Sequence, residues 1–383
     1  MKKTQSAPLK VSFVFDDSLD SFDGVANQVK LLGGWLSERG HEVSYMVGQT
    51  KMASWAGGKV YSLAKNVRVN FNANKMSIPL PAKRRNVLQT LSETQPDVLH
   101  VQLPHSPFMA QRVINAADKN VAVVGTFHVY PANRPARAGA KLLSPAYLGG
   151  LSRFDEIVSV SPAAAEFARR AFGLETKIIP NAVDVQLFKS DVANQPARVV
   201  FLGRLVNRKG AGQLIKAFAH VIKFIPNANL VIAGTGPKRQ ELETLSKKLG
   251  LAENVEFKGF IDEADKAGLL ASAEIACFPS FGGESFGIVL IEAMAAGSGV
   301  IIGGDNPGYR TVLGAQPELL FDPDNTERLA KLIVKLMSDS KLRQDLHAWQ
   351  DNEIHKYDVD EVGRQVEALY VRAIAKAGRT RHN

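Results

Sequence analysis

The amino-acid sequence predicts an α/β protein with two doubly wound, Rossmann-like domains in tandem. Short, continuous runs of β-branched and other apolar residues alternate with helix-like segments, a pattern typical of a parallel sheet covered on both faces. The alternation begins near residue 9, stops near residue 182 and starts again at residue 198. The chain of 383 residues is also long enough for about two or three domains.

In the first series, apolar runs predict buried strands at residues 9–15, 42–47, 97–102, 121–127 and 156–160, and residues 24–39 have the spacing of a helix. The second series predicts strands at 198–202, 229–233, 255–257, 275–278 and 300–302, with helices at 213–224, 237–249 and 288–295. We therefore expect a first domain at residues 1–182, a second at 183–355, and a C-terminal helix at 356–383 that packs toward the first domain. Two such domains form a cleft where the carboxyl ends of their strands face each other, which is the usual position of a ligand.

The composition is that of an ordinary globular protein, with 45% hydrophobic and 22% charged residues. Residues 286–302 form the nearest approach to a membrane-spanning segment, but they include Glu292 and three glycines, so we expect no transmembrane helix. The basic N-terminus is followed by a short apolar run that ends at Asp16, which does not favour a signal peptide. Cys277, the single cysteine, lies in an apolar run and is expected to be a buried thiol in a reducing cytoplasm.

Positive charge is concentrated in the first half of the chain. Residues 1–182 hold 22 Lys and Arg against 13 Asp and Glu, whereas residues 183–383 hold 25 of each. A basic half of this kind suits nucleic acid, an anionic lipid surface or an acidic substrate, and it is also compatible with a solvated face that has no partner.

A basic turn follows the first strand of the second series. It reads Gly203-Arg204-Leu-Val-Asn-Arg-Lys209-Gly210 and opens a helix. Because a strand end places its loop at the expected cleft, Arg204 and Lys209 there suit a diphosphate, and the helix N-terminus adds partial positive charge. A plain basic turn is the alternative.

A second element is Glu284-Ser-Phe286-Gly287, followed by Glu292 within an apolar helix. Backbone N–H groups at the start of that helix could hold phosphate or sugar hydroxyls, and Glu284 would then face the sugar. A buried carboxylate such as Glu292 needs a partner, either the two hydroxyls of a ribose or a neighbouring loop.

Further candidates lie at other strand ends and helix starts. Gly234 and Gly236 follow a strand and allow close approach of a ligand to the backbone, or form an ordinary turn. Asp23-Gly24-Val25 opens the first helix. His128 ends a strand in Thr126-Phe-His128, where a functional role and a buried structural role are both open.

Together with Pro180-Asn-Ala-Val-Asp184, these motifs resemble those of retaining glycosyltransferase family 4, which has the GT-B fold. The resemblance runs in order from residue 11 to about residue 370, and its specific part is E-x-F-G-x4-E with the upstream G-R…K-G. Within the family the layout is most similar to phosphatidylinositol mannosyltransferases and related glycolipid enzymes. The resemblance implies a hexose transfer from a GDP- or UDP-linked sugar with retention of configuration, an acceptor bound by the first domain and a donor bound by the second.

The resemblance also implies roles for the candidate residues. Arg204 and Lys209 would neutralise the donor diphosphate, and Glu292 would hold the ribose. Donor contacts would also come from the sugar-binding Glu284 and from backbone at Gly24, Gly203, Gly234, Gly236, Phe286 and Gly287. Asp23, Val25 and His128 would lie by the acceptor, with His128 also beside the sugar. We expect His128, Arg204, Lys209 and Glu284 to act in catalysis, without Glu284 as a nucleophile.

The first loop departs from the phosphatidylinositol enzymes, which have two glycines followed by Val-Gln. Here Asp23 replaces the first glycine and Ala26 the glutamine, so phosphatidylinositol itself is not favoured as acceptor. No cofactor or metal is implied. The D-x-D sequences at Asp322-Pro-Asp324 and Asp358-Val-Asp360 lie outside the nucleotide motifs, and the first is better interpreted as a turn before a helix.

Other function classes fit less well. A nicotinamide-dependent dehydrogenase is not favoured because no G-x-G-x-x-G follows the first strand, and a Walker-type kinase because G-x-x-x-x-G-K-[ST] is absent from the sequence. No recognised nucleic-acid-binding motif accompanies the basic charge. A non-catalytic sugar-nucleotide-binding protein of the same fold stays open.

Cations next to apolar residues in the first half predict contact with a membrane surface. Attachment to anionic lipid gains about 1 kcal/mol per cation near the surface. We therefore expect a peripheral enzyme, on the inner face of the cytoplasmic membrane, that acts on a lipid or lipid-linked acceptor. The predicted membrane contacts are Lys83, Arg84, Arg85, Arg134, Arg137 and Lys141.

Overall fold

A computed structural model describes residues 7–20, 24–71, 74–104, 106, 108–130 and 150–379 of the chain. The chain divides into two compact units. Unit 1 contains residues 1–182 together with 359–383, and unit 2 contains residues 183–358.

Unit 1 is built on a sheet of strands in the order β10-β9-β8-β7-β1-β2-β4-β3, in which only β3 and β4 pair antiparallel, while β5 and β6 form a separate antiparallel pair. The strands are β1 (Lys10–Phe15), β2 (Glu42–Val47), β3 (Ser54–Trp55), β4 (Gly58–Ser62), β5 (Asn66–Phe71), β6 (Asn74–Pro79), β7 (Val98–Gln102), β8 (Ala122–Phe127), β9 (Glu156–Ser159) and β10 (Lys177–Ile178). The helices are α1 (Gly24–Glu38), α2 (Arg84–Thr94), α3 (Met109–Ala116), α4 (Pro162–Phe172) and the last helix of the chain, α13 (Val359–Arg379).

The central strands of unit 1 are apolar on both faces because helices cover both. On β1, Phe13 belongs to a cluster that includes residues of α1 and α13, whereas the next residue, Val14, belongs to a cluster with residues of α2 and α3. Strands buried in this way read as continuous apolar runs rather than alternating ones. This is why the sequence pattern predicted them.

Unit 2 has a six-stranded parallel sheet in the order β13-β12-β11-β14-β15-β16. Its strands are β11 (Gln195–Leu202), β12 (Asn229–Ala233), β13 (Val255–Gly259), β14 (Ala273–Phe278), β15 (Val300–Gly304) and β16 (Leu320–Phe321). Its helices are α5 (Val185–Phe188), α6 (Ala211–Val221), α7 (Arg239–Lys248), α8 (Glu263–Ala271), α9 (Ile288–Ala295), α10 (Arg310–Leu313), α11 (Thr326–Ser338) and α12 (Ser340–Glu353). The strand order reverses between β11 and β14, and this is where a ligand binds in sheets of this kind.

The turn predicted at Asp322-Pro-Asp324 is confirmed. The backbone N–H of Asp324 donates to Oδ1 of Asp322 at 3.0 Å, and the side chain of Asn325 caps α11 by accepting from the N–H of Arg328 at 2.9 Å. In the described part of the chain, no helix combines the length and the apolar character that crossing a membrane requires.

Candidate active site

The basic turn Gly203–Gly210 leaves the end of β11, at the point where the sheet order of unit 2 reverses. Its residues Asn207–Lys209 form a single 3-10 turn, and α6 begins directly after Gly210. Gly210 has a φ of 74°, and a Cβ atom there would lie 2.0 Å from the carbonyl oxygen of Pro279. Only glycine therefore lets this turn pack against the segment that follows β14. The turn holds Arg204 at an exposed position and the side chain of Lys209 at a mostly buried one.

Glu284 lies where the basic turn meets the segment after β14. Its Oε1 atom is 2.6 Å from Nη1 of Arg208 and 2.8 Å from both Nζ of Lys209 and Oγ of Ser280. Burial raises the pKa of the Glu284 carboxyl, but the charges of Lys209 and Arg208 and the hydrogen bonds outweigh it and bring the pKa to about 2. Glu284 is therefore a carboxylate at neutral pH, which makes it a hydrogen-bond acceptor.

Gly234 and Gly236 bring two loops of unit 2 into contact with each other. Gly234 has a φ of 130°, and a Cβ atom on it would lie 1.9 Å from the carbonyl oxygen of Gly203. The N–H of Leu205 donates to the carbonyl of Thr235 at 2.8 Å. The two glycines thus support the loop that carries Arg204, a structural reason for glycine that applies whether or not a ligand also approaches them.

Helix α9 begins after Gly287, whose φ is 106°. The ring of Phe286 is buried and packs edge-on against Tyr357, with ring centroids 5.6 Å apart. Because the side chain of Phe286 belongs to the core, only its backbone can serve a ligand, as the sequence-based interpretation requires.

Glu292 has an ionic partner within unit 2. Its Oε1 atom is 2.7 Å from Nζ of Lys266 on α8, and the side chains of Glu292 and Lys266 are only 10% and 14% exposed. Burial raises the pKa of Glu292, and the charge of Lys266 opposes that shift. A cation thus meets the need for a partner that the sequence analysis assigned to ribose hydroxyls or a neighbouring loop.

The candidate acceptor residues belong to unit 1. Helix α1 begins at Gly24, while Asp23 lies outside the described residues. Val25 is partly buried and packs against the apolar cluster that contains Phe13. The structure therefore gives Val25 a contact in the core of unit 1.

His128 follows β8 and is buried in unit 1. Its Nε2 atom lies 2.6 Å from Oε1 of Gln102, at the end of the neighbouring strand β7. Burial lowers the pKa of His128 to about 4, so the ring is neutral at physiological pH. Two residues before Gln102 on β7, and so on the same face of the sheet, His100 hydrogen-bonds to Oγ1 of Thr126 at 2.7 Å and to the hydroxyl of Tyr370 at 2.8 Å.

Three of the predicted membrane contacts surround the start of α2. Lys83, Arg84 and Arg85 are all exposed, and Leu80 and Leu88 beside them are 48% and 40% exposed. Cationic and apolar side chains therefore share this surface. The other three predicted contacts, Arg134, Arg137 and Lys141, lie outside the described residues.

The structure adds residues that the motifs did not single out: Arg208, Ser280, Lys266 and Gln102. Arg208 could have been noticed as the second cation of the basic turn. Lys266 and Gln102 carried no signal, because each lies 26 residues from its partner, Glu292 or His128, and strand order and helix packing bring the partners together.

Two family models match the chain. The model described as "Glycosyltransferase Family 4" matches residues 22–187, and the model described as "Glycosyl transferases group 1" matches residues 183–349. The two matches together run from residue 22 to residue 349 and so include most of each unit.

Two phosphatidyl-myo-inositol mannosyltransferases match the chain over almost their whole length. The phosphatidyl-myo-inositol mannosyltransferase of Mycolicibacterium smegmatis is 30% identical over 379 residues, which are 94% of this chain and 93% of that protein. The protein of the same name from Mycobacterium tuberculosis is 30% identical over 387 residues, with 94% and 96% covered.

Solved structures share the fold. The structure of HepE from Anabaena in complex with UDP and glucose superposes with a TM-score of 0.71 at 18% identity, covering 94% of this chain and 99% of that one. Sucrose-phosphate synthase from Thermosynechococcus elongatus gives a TM-score of 0.73 at 20% identity, with 95% and 99% covered. The chain thus has the GT-B fold and belongs to glycosyltransferase family 4.

Proposed function

We propose that this glycosyltransferase moves a hexose from a GDP- or UDP-linked donor to a lipid or lipid-linked acceptor at a membrane surface, with retention of the anomeric configuration. The observation that carries the proposal is the convergence of Arg208 and Lys209 on Glu284 at the strand-order reversal of unit 2. Lys209 at this position suits a diphosphate, and a carboxylate that is ionised at neutral pH beside it suits sugar hydroxyls.

In the proposed reaction the bond between the anomeric carbon and the donor diphosphate breaks, and a bond to an acceptor hydroxyl forms on the same face of the sugar. The hydroxyl proton passes to the departing diphosphate. Arg204 and Lys209 neutralise the charge that develops on the leaving group, so that cationic side chains rather than a metal ion give the electrostatic stabilisation. With its pKa near 2, Glu284 binds hydroxyl groups and does not take up the proton.

The neutral ring of His128 suits a position near the acceptor, because it can exchange hydrogen bonds with hydroxyl groups without adding charge. The donor site would lie in unit 2 and the acceptor site in unit 1. Relatives named phosphatidyl-myo-inositol mannosyltransferase support a lipid acceptor. Ala26 stands where the phosphatidylinositol enzymes have a glutamine, and this difference favours an acceptor other than phosphatidylinositol.

The charge of unit 1 supports action at the inner face of the cytoplasmic membrane. Residues 1–182 and 359–383 contain 27 Lys and Arg against 16 Asp and Glu. The exposed cations and leucines around the start of α2 combine charge attraction with apolar contact, as peripheral membrane attachment requires. A soluble acceptor, or a non-catalytic nucleotide-sugar-binding role, is the alternative.

A thermal-shift screen of nucleotides and nucleotide sugars tests the donor. A ligand that binds only the folded state raises the melting temperature by mass action. GDP- or UDP-linked sugars should stabilise the wild type, and stabilise Arg204→Ala and Glu292→Ala much less. If dinucleotides stabilise it instead, or if no nucleotide does, the transferase proposal fails. Hydrolysis without an acceptor, or product formation with lipid extracts, then separates an enzyme from a binding protein.

Vesicle co-sedimentation tests the membrane surface. The wild type should bind vesicles of 30% anionic lipid at low salt, and a Lys83→Ser/Arg84→Ser/Arg85→Ser variant should bind them several-fold more weakly. A triple variant of exposed cations in unit 2, Lys247→Ser/Lys248→Ser/Lys331→Ser, is the matched control and should bind as the wild type does. Equal binding by the two triple variants, or no binding by the wild type, would favour a soluble acceptor.

A further inference from the structure

The two carboxylate oxygens of Glu284 have different environments. Oε1 accepts from Arg208, Lys209 and Ser280, at 2.6, 2.8 and 2.8 Å. Among the described residues, none donates to Oε2. The side chain is 12% exposed, so this second oxygen is the one available to a ligand. The carboxylate is therefore held in place through Oε1, and Oε2 can accept a hydrogen bond from a ligand.

Arg208 is fixed to the segment after β14 by its backbone as well as its side chain. Its carbonyl oxygen accepts from the N–H of Phe281 at 2.9 Å and lies 3.1 Å from Oγ of Ser280, whose single hydroxyl proton is donated to Glu284. Its Nη1 atom also lies 3.5 Å from the carbonyl oxygen of Gly282. Arg208 thus holds the basic turn to the segment after β14 through its backbone and to Glu284 through its side chain. The side chain of Lys209 makes its described polar contact only with Glu284.

We propose that Arg208 is a positioning residue that, together with Ser280, holds Oε1 of Glu284 so that Oε2 faces the transferred sugar, while Lys209 moves to the donor diphosphate. This inference rests on the proposed function. When a diphosphate approaches, it competes with Glu284 for Lys209. Arg208 and Ser280 then still satisfy Oε1, and the carboxylate keeps its orientation.

The proposal separates two kinds of cation that stand next to each other in the sequence. A residue that binds the diphosphate contributes equally to the binding of a nucleoside diphosphate and of its sugar conjugate. A residue that acts through Glu284 contributes only when the sugar is present. The difference between the two ligands therefore identifies the role of each cation.

Isothermal titration calorimetry with UDP and UDP-glucose, and with GDP and GDP-mannose, provides the test. Arg208→Met should weaken nucleotide-sugar binding by about tenfold or more, as expected for loss of a charged hydrogen bond, and leave binding of the bare diphosphate within about threefold. Ser280→Ala should show a smaller change of the same kind, and Arg208→Lys should restore part of the loss. Lys209→Met should weaken both ligands by similar factors. Lys331→Met removes an exposed cation of unit 2 and should change neither.

Equal losses for both ligands in Arg208→Met would assign Arg208 to the diphosphate and overturn the inference. Unchanged binding of both ligands would overturn it too. If Arg208→Met fails to fold, Ser280→Ala and Arg208→Lys give the same comparison of the two ligands. Failure of the wild type to bind any of these nucleotides would instead overturn the proposed function, and the inference with it.

Discussion

Oε1 of Gln102 accepts a hydrogen bond from Nε2 of His128 at 2.6 Å, across the ends of the neighbouring strands β7 and β8. Because an amide oxygen can only accept, this contact fixes the proton of the neutral ring on Nε2. The other nitrogen, Nδ1, is then an acceptor. If His128 contacts the acceptor as proposed, Gln102 determines that Nδ1 accepts rather than donates a hydrogen bond there.

The buried histidines predict how stability depends on pH. Burial lowers the pKa of His128 to about 4, and burial together with the charge of His128 lowers that of His100 to about 3. An unfolded histidine titrates near 6.5. Above that pH both states are neutral and the histidines contribute nothing. As the pH falls from 6.5 toward 4, the unfolded chain takes up protons that the folded protein excludes, so the free energy of unfolding decreases.

Each histidine contributes a slope of at most about 1.4 kcal/mol per pH unit. The measurement is chemical denaturation between pH 7.5 and 4.5. His128→Gln should lose less stability over this range than the wild type does, whereas His355→Gln, at an exposed position, should keep the wild-type slope. Identical slopes in all three proteins would contradict the assignment of buried neutral rings.

The last helix is coupled to the sheet of unit 1 through Tyr370. Its hydroxyl lies 2.8 Å from Nδ1 of His100, and both side chains are fully buried or nearly so. Tyr370→Phe keeps the ring but leaves a buried ring nitrogen without a partner, which costs about 1–3 kcal/mol. Urea unfolding monitored by near-UV circular dichroism measures the loss.

Tyr61→Phe is the matched control for this substitution. The hydroxyl of Tyr61 donates to Glu93 at 3.2 Å in an exposed setting, and its removal should change stability by less than about 0.5 kcal/mol. If the two variants lose equal stability, the buried hydrogen bond of Tyr370 does not stabilise the protein more than the exposed hydrogen bond of Tyr61.

The buried pair of Lys266 and Glu292 predicts a strong asymmetry between single and double substitutions. Lys266→Met leaves the carboxylate buried without its partner, and breaking a pair in this way costs about 3–5 kcal/mol. Lys266→Met combined with Glu292→Gln removes both charges and should cost less than Lys266→Met alone. Denaturation without nucleotide at pH 7.5 compares them.

A pH series adds a second readout for the same pair. Burial raises the pKa of Glu292, and loss of Lys266 removes the charge that opposes this shift. A folded-state pKa above the unfolded value means that stability is lost as the pH rises through the folded pKa. The deficit of Lys266→Met should therefore shrink as the pH falls from 7.5 to 5.5, and a constant deficit would exclude a trapped carboxylate.

Buried strands and buried helices were predicted best from the sequence. The strands predicted at residues 42–47 and 229–233 and the helix at 288–295 match β2, β12 and α9. Strands β3 to β6 were not predicted, because β3 has only two residues, β4 lies next to it near the edge of the sheet, β5 and β6 form a separate antiparallel pair, and none of the four contains a continuous apolar run. The C-terminal helix predicted from residue 356 begins at Val359 instead, after a 3-10 turn at Ile354–Tyr357.

The site was predictable only as far as its residues are neighbours in sequence. The basic turn and the element from Glu284 to Glu292 each follow a strand, so the edge of the sheet they share could be inferred. Nothing in the sequence reveals that the basic turn and Glu284 form a direct ion pair. The side chain of Arg208 reaches Glu284 only because the backbone of Arg208 packs against the segment after β14, and that contact depends on the fold.

Gly234 supplies a final prediction that joins stability to ligand binding. An alanine in the left-handed region costs about 1–2 kcal/mol, and both Gly234 and Gly250 have positive φ, of 130° and 72°. At Gly250 nothing lies within 4 Å of an added Cβ, whereas at Gly234 it would meet the carbonyl oxygen of Gly203. Gly234→Ala must therefore also displace the loop that carries Arg204. It should lose more stability than Gly250→Ala and weaken nucleotide binding, while Gly250→Ala leaves binding unchanged; equal effects on binding would show that the contact between the two loops does not position Arg204.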